Sequence, residues 1–432
     1  MGLDNPYILV IVLCSLLILS YLFNILAKKT NIPSVVLLIS TGVIISYGLD
    51  YFHQPGENAN WFPILKILGI VGLVMIVLEA ALDLKLTKEK WPIIWKAFAV
   101  ALFGLAATAL IFTFLIQFFF VVDTQRAFLY AIPLSVISSA IVIPSVINCR
   151  EDIKEFLIYE STFSDILGIM LFYFDIKAIE APAGASIGVG ILLNILLTLV
   201  IAVVLSYVLT VVFQKIASKT KLFLLISVLM LLYSVGKLLH ISSLLIILFF
   251  GLLINNHELF FIKGLEKHVD SSKVKETLAN FKVITLESSF FVRTFFFITF
   301  GMSIALSSLI NVEVLLISLI MLGVMIVLRY LIFIGVAQKF IMPSLFVAPR
   351  GLITILLFFS IPQEHQIPHF DNGVLLYIIL VSSGIMTLAL MTREKEEKLP
   401  FFLKATSRMM KGDDRHKESI ESLDKDEENT SD

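Results

Sequence analysis

Runs of apolar residues long enough to cross a lipid bilayer recur along almost the whole chain. About 17–25 consecutive apolar residues make one helical crossing, because the hydrocarbon core is about 30 Å thick and a helix rises about 1.5 Å per residue. Hydrophobic residues make up 58% of the chain, above the roughly 45–50% of soluble proteins. We therefore predict an all-α polytopic membrane protein. Its thirteen predicted spans are residues 7–26, 33–49, 61–82, 92–120, 126–148, 153–175, 186–213, 221–238, 241–255, 282–305, 312–336, 346–362 and 373–392.

The loops between these predicted spans alternate in charge. Lys28 and Lys29 follow the first span, and basic residues then recur in every second loop. Because positively charged loops stay in the cytoplasm, this pattern places the N-terminus outside and the C-terminus inside. Asp4 precedes the first apolar run and the lysines follow it, the reverse of a signal peptide's charge order, so we count this run as a retained span.

Two segments outside the predicted spans are polar. Residues 256–280 mix basic and apolar side chains and predict a cytoplasmic amphipathic connector. Residues 393–432 are highly charged and poor in apolar residues, which predicts a disordered cytoplasmic tail. A net charge of −1 argues against a nucleic-acid partner, and Cys14 and Cys149 suggest neither a disulfide framework nor a metal site. We find no nucleotide-binding domain and expect no cofactor.

The sixth predicted span contains two carboxylates. An ionisable group at that depth costs at least about 2.5–3.5 kcal/mol, so it is rarely present without a partner or a function. Ser161 and Asp165 are four residues apart and share a helix face, whereas Glu160 lies roughly 140° around the helix from Asp165. We interpret Asp165 as an ion-carrying residue and Glu160 as an acid that needs a positive partner. The alternative is that both acids are paired structural charges.

Other charged residues inside predicted spans also require partners. Arg329 lies deep in the eleventh span, and Glu160 is a good candidate to pair with it. Glu287 and Arg293 are six residues apart in the tenth span and face different directions, so each needs a partner on another helix. Glu79 of the third span could serve one of them.

Two predicted spans carry the signs of a broken helix. The fifth has Pro133 and Pro144 with Ser138 and Ser139 between them, which frees backbone carbonyls and supplies hydroxyls for an ion site. The twelfth opens with a Pro-Arg-Gly sequence around Arg350, in a position that mirrors the fifth span as an inverted repeat requires. For the fifth span the alternative is an ordinary proline kink. For Arg350 the choice lies between a gate and an anchor that reaches the cytoplasmic interface.

With these residues named, the chain resembles monovalent cation/proton antiporters of the sodium/proton exchanger superfamily over roughly residues 1–392. The motif Glu160-Ser161-x-x-Ser164-Asp165 resembles the Glu-Ser-x-x-Asn-Asp of that family's sixth helix. Weaker matches in the same order are Glu79-Ala80-Ala81-Leu82, Phe296-Phe297-Ile298-Thr299-Phe300-Gly301-Met302 and Pro349-Arg350-Gly351. The resemblance implies an inverted-repeat antiporter fold with two broken, crossing helices.

The resemblance also implies roles. Asp165 would bind a cation or a proton in turn, Ser161 would coordinate the cation, and Glu160 would be a structural acid paired with Arg329. A core around spans four to six and eleven to thirteen would rock against a scaffold that contains spans one, two and eight. The resemblance further implies a homodimer in a bacterial inner (plasma) membrane that contributes to pH homeostasis.

The chain departs from the family pattern in two places. The family's Thr-Asp-Pro on the fifth helix is absent, and Ser139-Ala140-Ile141-Val142 stands in its place. The asparagine before the essential aspartate is replaced by Ser164, which we count with Ser138, Ser139 and Ser161 among the candidate ion-binding residues. The stretch from Ser138 to Val142 is closer to the Ser-Ser-Thr-Ala-Ile of potassium-efflux relatives. One binding carboxylate favours electroneutral exchange of one proton per cation, with Na⁺, K⁺ and Li⁺ all open.

Two rival functions use the same residues. A cation channel or potassium-efflux conduit would use the acids as a static filter and would move charge without proton counterflow. A membrane-embedded enzyme would need a second catalytic group facing Asp165. We find no His-Glu-x-x-His motif and no nucleophile with a base, so we expect a transporter and not an enzyme.

Overall fold

The structure, a computed structural model, is entirely helical in the residues that it describes, apart from turns and short extended segments. The all-α prediction is therefore confirmed. The described residues are 6–30, 33–52, 62–87, 89–146, 149–180, 200–212 without 202 and 210, 221–238, 243–257, 271–303, 311–337, 343–368 and 370–398.

Thirteen α-helices have defined bounds within these residues. They are α1 (Pro6–Thr30), α2 (Ser34–Phe52), α3 (Phe62–Asp83), α4 (Trp91–Phe120), α5 (Thr124–Ser135), α6 (Ser139–Ser145), α7 (Glu151–Glu180), α8 (Lys221–Leu238), α9 (Ser243–Asn255), α10 (Ser271–Met302), α11 (Val312–Ile332), α12 (Leu352–Phe359) and α13 (Gly373–Lys398). A π-helical turn (Phe333–Ala337) follows α11, and a 3₁₀ turn (Gln363–His365) follows α12. The described residues of 200–212 are also helical.

These thirteen helices do not correspond one to one with the thirteen predicted spans. Helices α5 and α6 together replace the single predicted span 126–148, because the chain leaves the helical conformation at residues 136–138. The predicted span 186–213 falls mostly outside the described residues. Within the predicted span 346–362, α-helix begins only at Leu352, after a non-helical segment at 347–351. The count of thirteen helices therefore includes two helices for the predicted span 126–148. It includes none for the predicted span 186–213.

The bounds of two predicted polar segments also differ from the structure. Helix α10 begins at Ser271, so residues 271–280 of the predicted connector form the first turns of the tenth span's helix. Helix α13 continues to Lys398, past the predicted end of its span at residue 392. The predictions for residues 258–270 and 399–432 lie outside the described residues.

The helices have the length and surface of membrane-spanning segments. Seven of the described helical segments are long and apolar enough to cross a bilayer, and four shorter ones are also apolar. Large apolar side chains point outward from them, for example Phe114 at 68% and Phe118 at 78% exposure on α4. Such a surface is stable in lipid but not in water. The chain is an integral membrane protein.

Contacts between helices form two neighbourhoods. Helix α4 packs mainly on α5 and α7 and also on α11, while α10 packs mainly on α2 and α3, and α9 on α3. Helices α2 and α10 approach so closely that a Cβ added at Gly42 would lie 2.1 Å from the Ile298 carbonyl oxygen. A Cβ added at Gly301 would lie 2.2 Å from the Ile39 carbonyl oxygen. Small residues allow this approach, as is common between membrane helices.

The chain divides into two compact units, residues 1–387 and 388–432. The described part of the second unit, residues 388–398, consists of the last turns of α13. All residues of the site described below belong to the first unit.

Two helices of this unit have side-chain N-caps. The Asp123 side chain caps α5 by accepting a hydrogen bond from the Arg126 amide, and the Asn311 side chain caps α11 by accepting one from the Glu313 amide.

Candidate functional site

The break between α5 and α6 is held by side chains of α7. Pro133 lies in the last turn of α5, and the chain leaves the helical conformation at residues 136–138, so the amides of Ile137 and Ser138 have no partner within a helix. The Ile137 amide donates to the Ser164 hydroxyl oxygen at 2.9 Å. The Ser139 amide donates to Oδ2 of Asp165 at 3.0 Å. Two consecutive residues of α7 therefore satisfy the two amides that flank the centre of the break.

The non-helical segment before α12 (residues 347–351) crosses the same break. The Ser138 amide donates to the Pro349 carbonyl at 2.9 Å, so the two interrupted segments are joined directly through their backbones. A Cβ added at Gly351 would lie 2.7 Å from the Ser138 hydroxyl oxygen and 2.6 Å from Cδ1 of Ile141. The glycine therefore permits a crossing that any larger residue would push apart. The predicted crossing of two broken segments is present, although only one segment has helix on both sides among the described residues.

Asp165 has one carboxylate oxygen that no described residue satisfies. The side chain is buried, with 3% exposure. Its Oδ2 accepts the Ser139 amide. Its Oδ1 is buried and has no hydrogen-bond partner among the described residues. Because a buried unpaired carboxylate oxygen is costly, this atom is where a proton or a cation would be stabilised.

A small apolar cavity adjoins Asp165. It offers about 20 Å³ to the centre of a water-sized molecule, which is room for about one water or one dehydrated ion. Asp165 is its only charged lining residue, and the other side chains are aliphatic. They come from α3, α7, α9 and α12, namely Ile76, Val77, Ala80, Ile166, Ile169, Leu248 and Ile353. The carboxylate thus faces the meeting point of the two helix neighbourhoods.

The four predicted serine ligands are not equivalent. Ser139 and Ser164 contact the break and Asp165 as described above. The Ser138 hydroxyl is buried without a partner among the described residues and adjoins Gly351. The Ser161 hydroxyl lies one turn before Asp165 but donates to its own helix, to the Leu157 carbonyl at 2.8 Å. The Ser161 oxygen keeps lone pairs for a cation, although it makes no hydrogen bond to the Asp165 carboxylate.

Glu160 faces away from this cavity and pairs with Arg329 of α11. The two groups make a bidentate contact, with Nη1–Oε1 at 2.5 Å and Nη2–Oε2 at 2.9 Å. Arg329 also donates to the carbonyls of Ser344 at 2.8 Å and Leu345 at 2.9 Å, and its guanidinium lies over the Phe333 ring. Both charged groups are buried. The pair therefore ties α7 to α11 and to the segment that leads into the second break.

The other charged residues separate into paired, exposed and buried cases. Glu79 of α3 accepts both of its hydrogen bonds from Nη2 of Arg293, at 3.1 and 3.2 Å, and Nη1 of Arg293 reaches the Ala140 carbonyl at 3.4 Å. Glu287 is exposed and forms no ion pair with another described residue, contrary to our expectation of a partner helix. Arg350 is 2% exposed and lies inside the crossing, so the interpretation as an interfacial anchor was wrong.

Several features of the site were not identified from the sequence. Thr162 is 1% exposed and its hydroxyl is unpartnered among the described residues, three positions before Asp165 on the same helix. Gly168 allows α7 to approach Val136, because an added Cβ would lie 2.3 Å from Cγ2 of that residue. A glycine one turn after the acid was a usable signal for close packing. The aliphatic lining from α3 and α9 had no local signal.

Comparison with known proteins agrees with this arrangement. The family model "Sodium/hydrogen exchanger, transmembrane" matches residues 13–392. No curated protein matches the chain. Among solved structures, the sodium proton antiporter MjNhaP1 from Methanocaldococcus jannaschii at pH 8 is similar with a TM-score of 0.64 and 20% identity, covering 90% of this chain and 99% of that one.

A second structure of the same protein, an electron-microscopy map, gives a TM-score of 0.62 with 19% identity and covers 90% of this chain and 96% of that one. At this level of identity the similarity establishes a shared fold. The family model covers most of the chain and includes both interrupted segments, the acid pair of α7 and Arg329. The chain therefore belongs to the sodium/hydrogen exchanger family, a family of membrane transporters.

Proposed function

We propose that this protein exchanges a monovalent cation for a proton by alternating access, and that Asp165 is the group that carries both. The observation that supports this most directly is the unpartnered Oδ1 of Asp165 beside a small apolar cavity. Family membership and the antiporter fold support cation/proton exchange in general. The assignment to one carboxylate, and everything finer, is our inference.

The cation site that we propose is built from oxygen atoms. Asp165 supplies the charge, and the hydroxyls of Ser138, Ser139 and Ser161 complete the shell with carbonyls that the helix break leaves free. Ser164 has a different role, because its hydroxyl oxygen already accepts a hydrogen bond from the Ile137 amide. It therefore holds the backbone of the break between α5 and α6 in position. Among the described residues there is no cluster of three metal-binding side chains, and a hard monovalent cation suits this sparse oxygen set better than a transition metal.

Coupling follows from the cost of moving an empty site. A bare carboxylate in an apolar cavity is unstable. The moving helices therefore change between the outward-facing and inward-facing states only when Asp165 holds a proton or a cation. Because one acid accepts one or the other, each cation is exchanged for one proton and no net charge moves. The carried ion is Na⁺ or K⁺, with Li⁺ as a further substrate.

We propose that the neighbourhood of α4, α5, α7 and α11 moves against a scaffold. The protein would be a homodimer in a bacterial cell, with the N-terminus of each subunit outside and the C-terminus in the cytoplasm.

The test is an ion panel in proteoliposomes that carry a preformed pH gradient. We expect Na⁺, Li⁺ or K⁺ to dissipate the gradient, at a rate that does not change when a permeant anion clamps the membrane potential. A rate that rises under the clamp would show that net charge moves and that the exchange is not one proton per cation. Cation flux with no proton counterflow would indicate a channel or efflux conduit and would refute the exchange mechanism.

A further inference from the structure

A second small cavity lies between α4, α5 and α11, beside the crossing of the two interrupted segments. It offers about 20 Å³ to the centre of a water-sized molecule, which is enough for one water or one ion of similar size. No residue lines both this cavity and the one at Asp165. The residues that line it are mostly apolar but include two arginines, Arg329 and Arg350.

The charges around this cavity do not balance. Arg329 is paired with Glu160, as described above. Arg350 is 2% exposed, yet no carboxylate of a described residue lies within ion-pair distance of it. Two buried cations therefore share one buried anion, which leaves one positive charge uncompensated. An unpaired charge in a membrane interior is strongly unfavourable, so a negative group is expected nearby.

The hydrogen-bond donors around the cavity also exceed the acceptors. Arg350 donates through Nε to the Leu134 carbonyl at 2.8 Å and through Nη1 to the Ala348 carbonyl at 3.0 Å. Its Nη2, which carries two further donors, has no acceptor among the described residues. Leu134 lies near the C-terminus of α5, where the helix dipole supplies only a partial negative charge. The guanidinium is oriented by carbonyls but is not neutralised by them.

Thr108 of α4 provides a second free donor in the same wall. It is 4% exposed, and its hydroxyl bonds to no other described residue. A buried helical threonine normally donates to the carbonyl four residues earlier, as Thr113 does to Ala109 at 2.7 Å. Thr108 and Nη2 of Arg350 thus both border one small cavity without an acceptor. A ligand there must accept hydrogen bonds.

We propose that this cavity binds one chloride-sized monovalent anion. The small space favours an ion of chloride size over phosphate, sulfate or an organic carboxylate. The excess positive charge favours an anion over a water molecule, which would satisfy the donors but leave the charge. The bound anion holds Arg350 against Leu134 and Ala348, and therefore stabilises the crossing. This inference rests on the cavity and its charges and is independent of which ion the protein transports.

The test measures the melting temperature of the full-length protein, purified in sodium gluconate, as chloride replaces gluconate at constant sodium and ionic strength. We expect a saturable rise of a few degrees with chloride or bromide and none with sulfate. Thr108→Val should raise the half-saturating chloride concentration about tenfold, because it removes one hydrogen bond to a charged ligand. Thr113→Val, on the same helix but outside the cavity, should respond to chloride as the wild type does.

Two results would overturn the proposal. A melting temperature that is indifferent to chloride would mean that a water molecule fills the cavity. A rise that is equal in the wild type and Thr108→Val would mean that chloride acts elsewhere on the protein. Neither reading requires a variant of Arg350, whose replacement could prevent folding.

Discussion

Replacing Asp165 with asparagine should abolish cation-driven dissipation of a pH gradient in proteoliposomes. Asparagine has nearly the same shape and still accepts the Ser139 amide through its carbonyl oxygen, so the break between α5 and α6 should remain intact. It cannot bind and release a proton, and it offers no charge to a cation. Transport should fall to the background of empty liposomes, while the melting temperature stays at or above that of the wild type.

The matched control is another aspartate of the same helix. Asp152 lies in the first turn of α7, is exposed, and pairs with Arg150 at 2.6 Å. Asp152→Asn should transport at the wild-type rate, because a surface pair has little energetic weight and lies far from the cavity. An Asp165→Asn protein that exchanges ions normally would refute the assignment of the carrier.

Breaking the buried pair should unfold the protein more readily than it changes cation affinity. Removing either Glu160 or Arg329 leaves the other as an uncompensated charge in the bundle, which typically costs about 3–5 kcal/mol. Glu160→Gln and Arg329→Met should therefore both lower the yield and the melting temperature. The folded fraction should still bind the cation with an affinity close to that of the wild type, because the pair faces away from the Asp165 cavity.

Two further variants sharpen this prediction. The double variant Glu160→Gln/Arg329→Met should lose less stability than the sum of the two single changes, because neither charge is left alone. Arg126→Ala, which breaks an exposed pair with Asp123, should change stability by about 0–1 kcal/mol. Normal stability combined with altered cation affinity in Glu160→Gln would instead place Glu160 on the transport path.

The positions of the buried acids were predictable because helix geometry alone separates them. A spacing of four residues places Ser161 and Asp165 on one helix face. Glu160 lies roughly 140° around the helix from Asp165 and therefore faces another helix. Arg329 lies deep in a helix whose acid, Glu313, is in the first turn and far from it, which made Glu160 its natural partner. The structure has Glu160 against Arg329 and Asp165 against the break, in the two directions that this spacing requires.

The second break was harder to predict because hydropathy measures how apolar a segment is and not how it is folded. Residues 346–362 are apolar enough for a span, and the Pro-Arg-Gly sequence suggested a break at its start, but the sequence left Arg350 open between a gate and an anchor at the cytoplasmic interface. The backbone is not helical at 347–351, and the Ser138 amide takes the place of a helical partner for the Pro349 carbonyl. Arg350 therefore lies inside the crossing, where its guanidinium donates hydrogen bonds to the carbonyls of Leu134 and Ala348.

Long-range packing accounts for most of what the sequence could not show. The aliphatic lining of the Asp165 cavity comes from four helices that are distant in the chain, and nothing in α3 or α9 marks Val77 or Leu248 as neighbours of an acid. Glu287 is a residue for which the sequence suggested a buried contact that the structure does not have. A charge in an apolar segment suggested a buried partner, but one face of α10 is exposed and Glu287 lies on it.

The central claim is that a cation and a proton compete for Asp165. Its most direct test is the number of protons released when a cation binds to the purified protein, measured by calorimetry in buffers of different ionisation enthalpy. Starting from a pH at which the site is protonated, we predict about one proton released per cation bound, and an apparent affinity that falls about tenfold for each further pH unit of acidification. Cation binding that releases no protons, with the same affinity at every pH, would contradict the account.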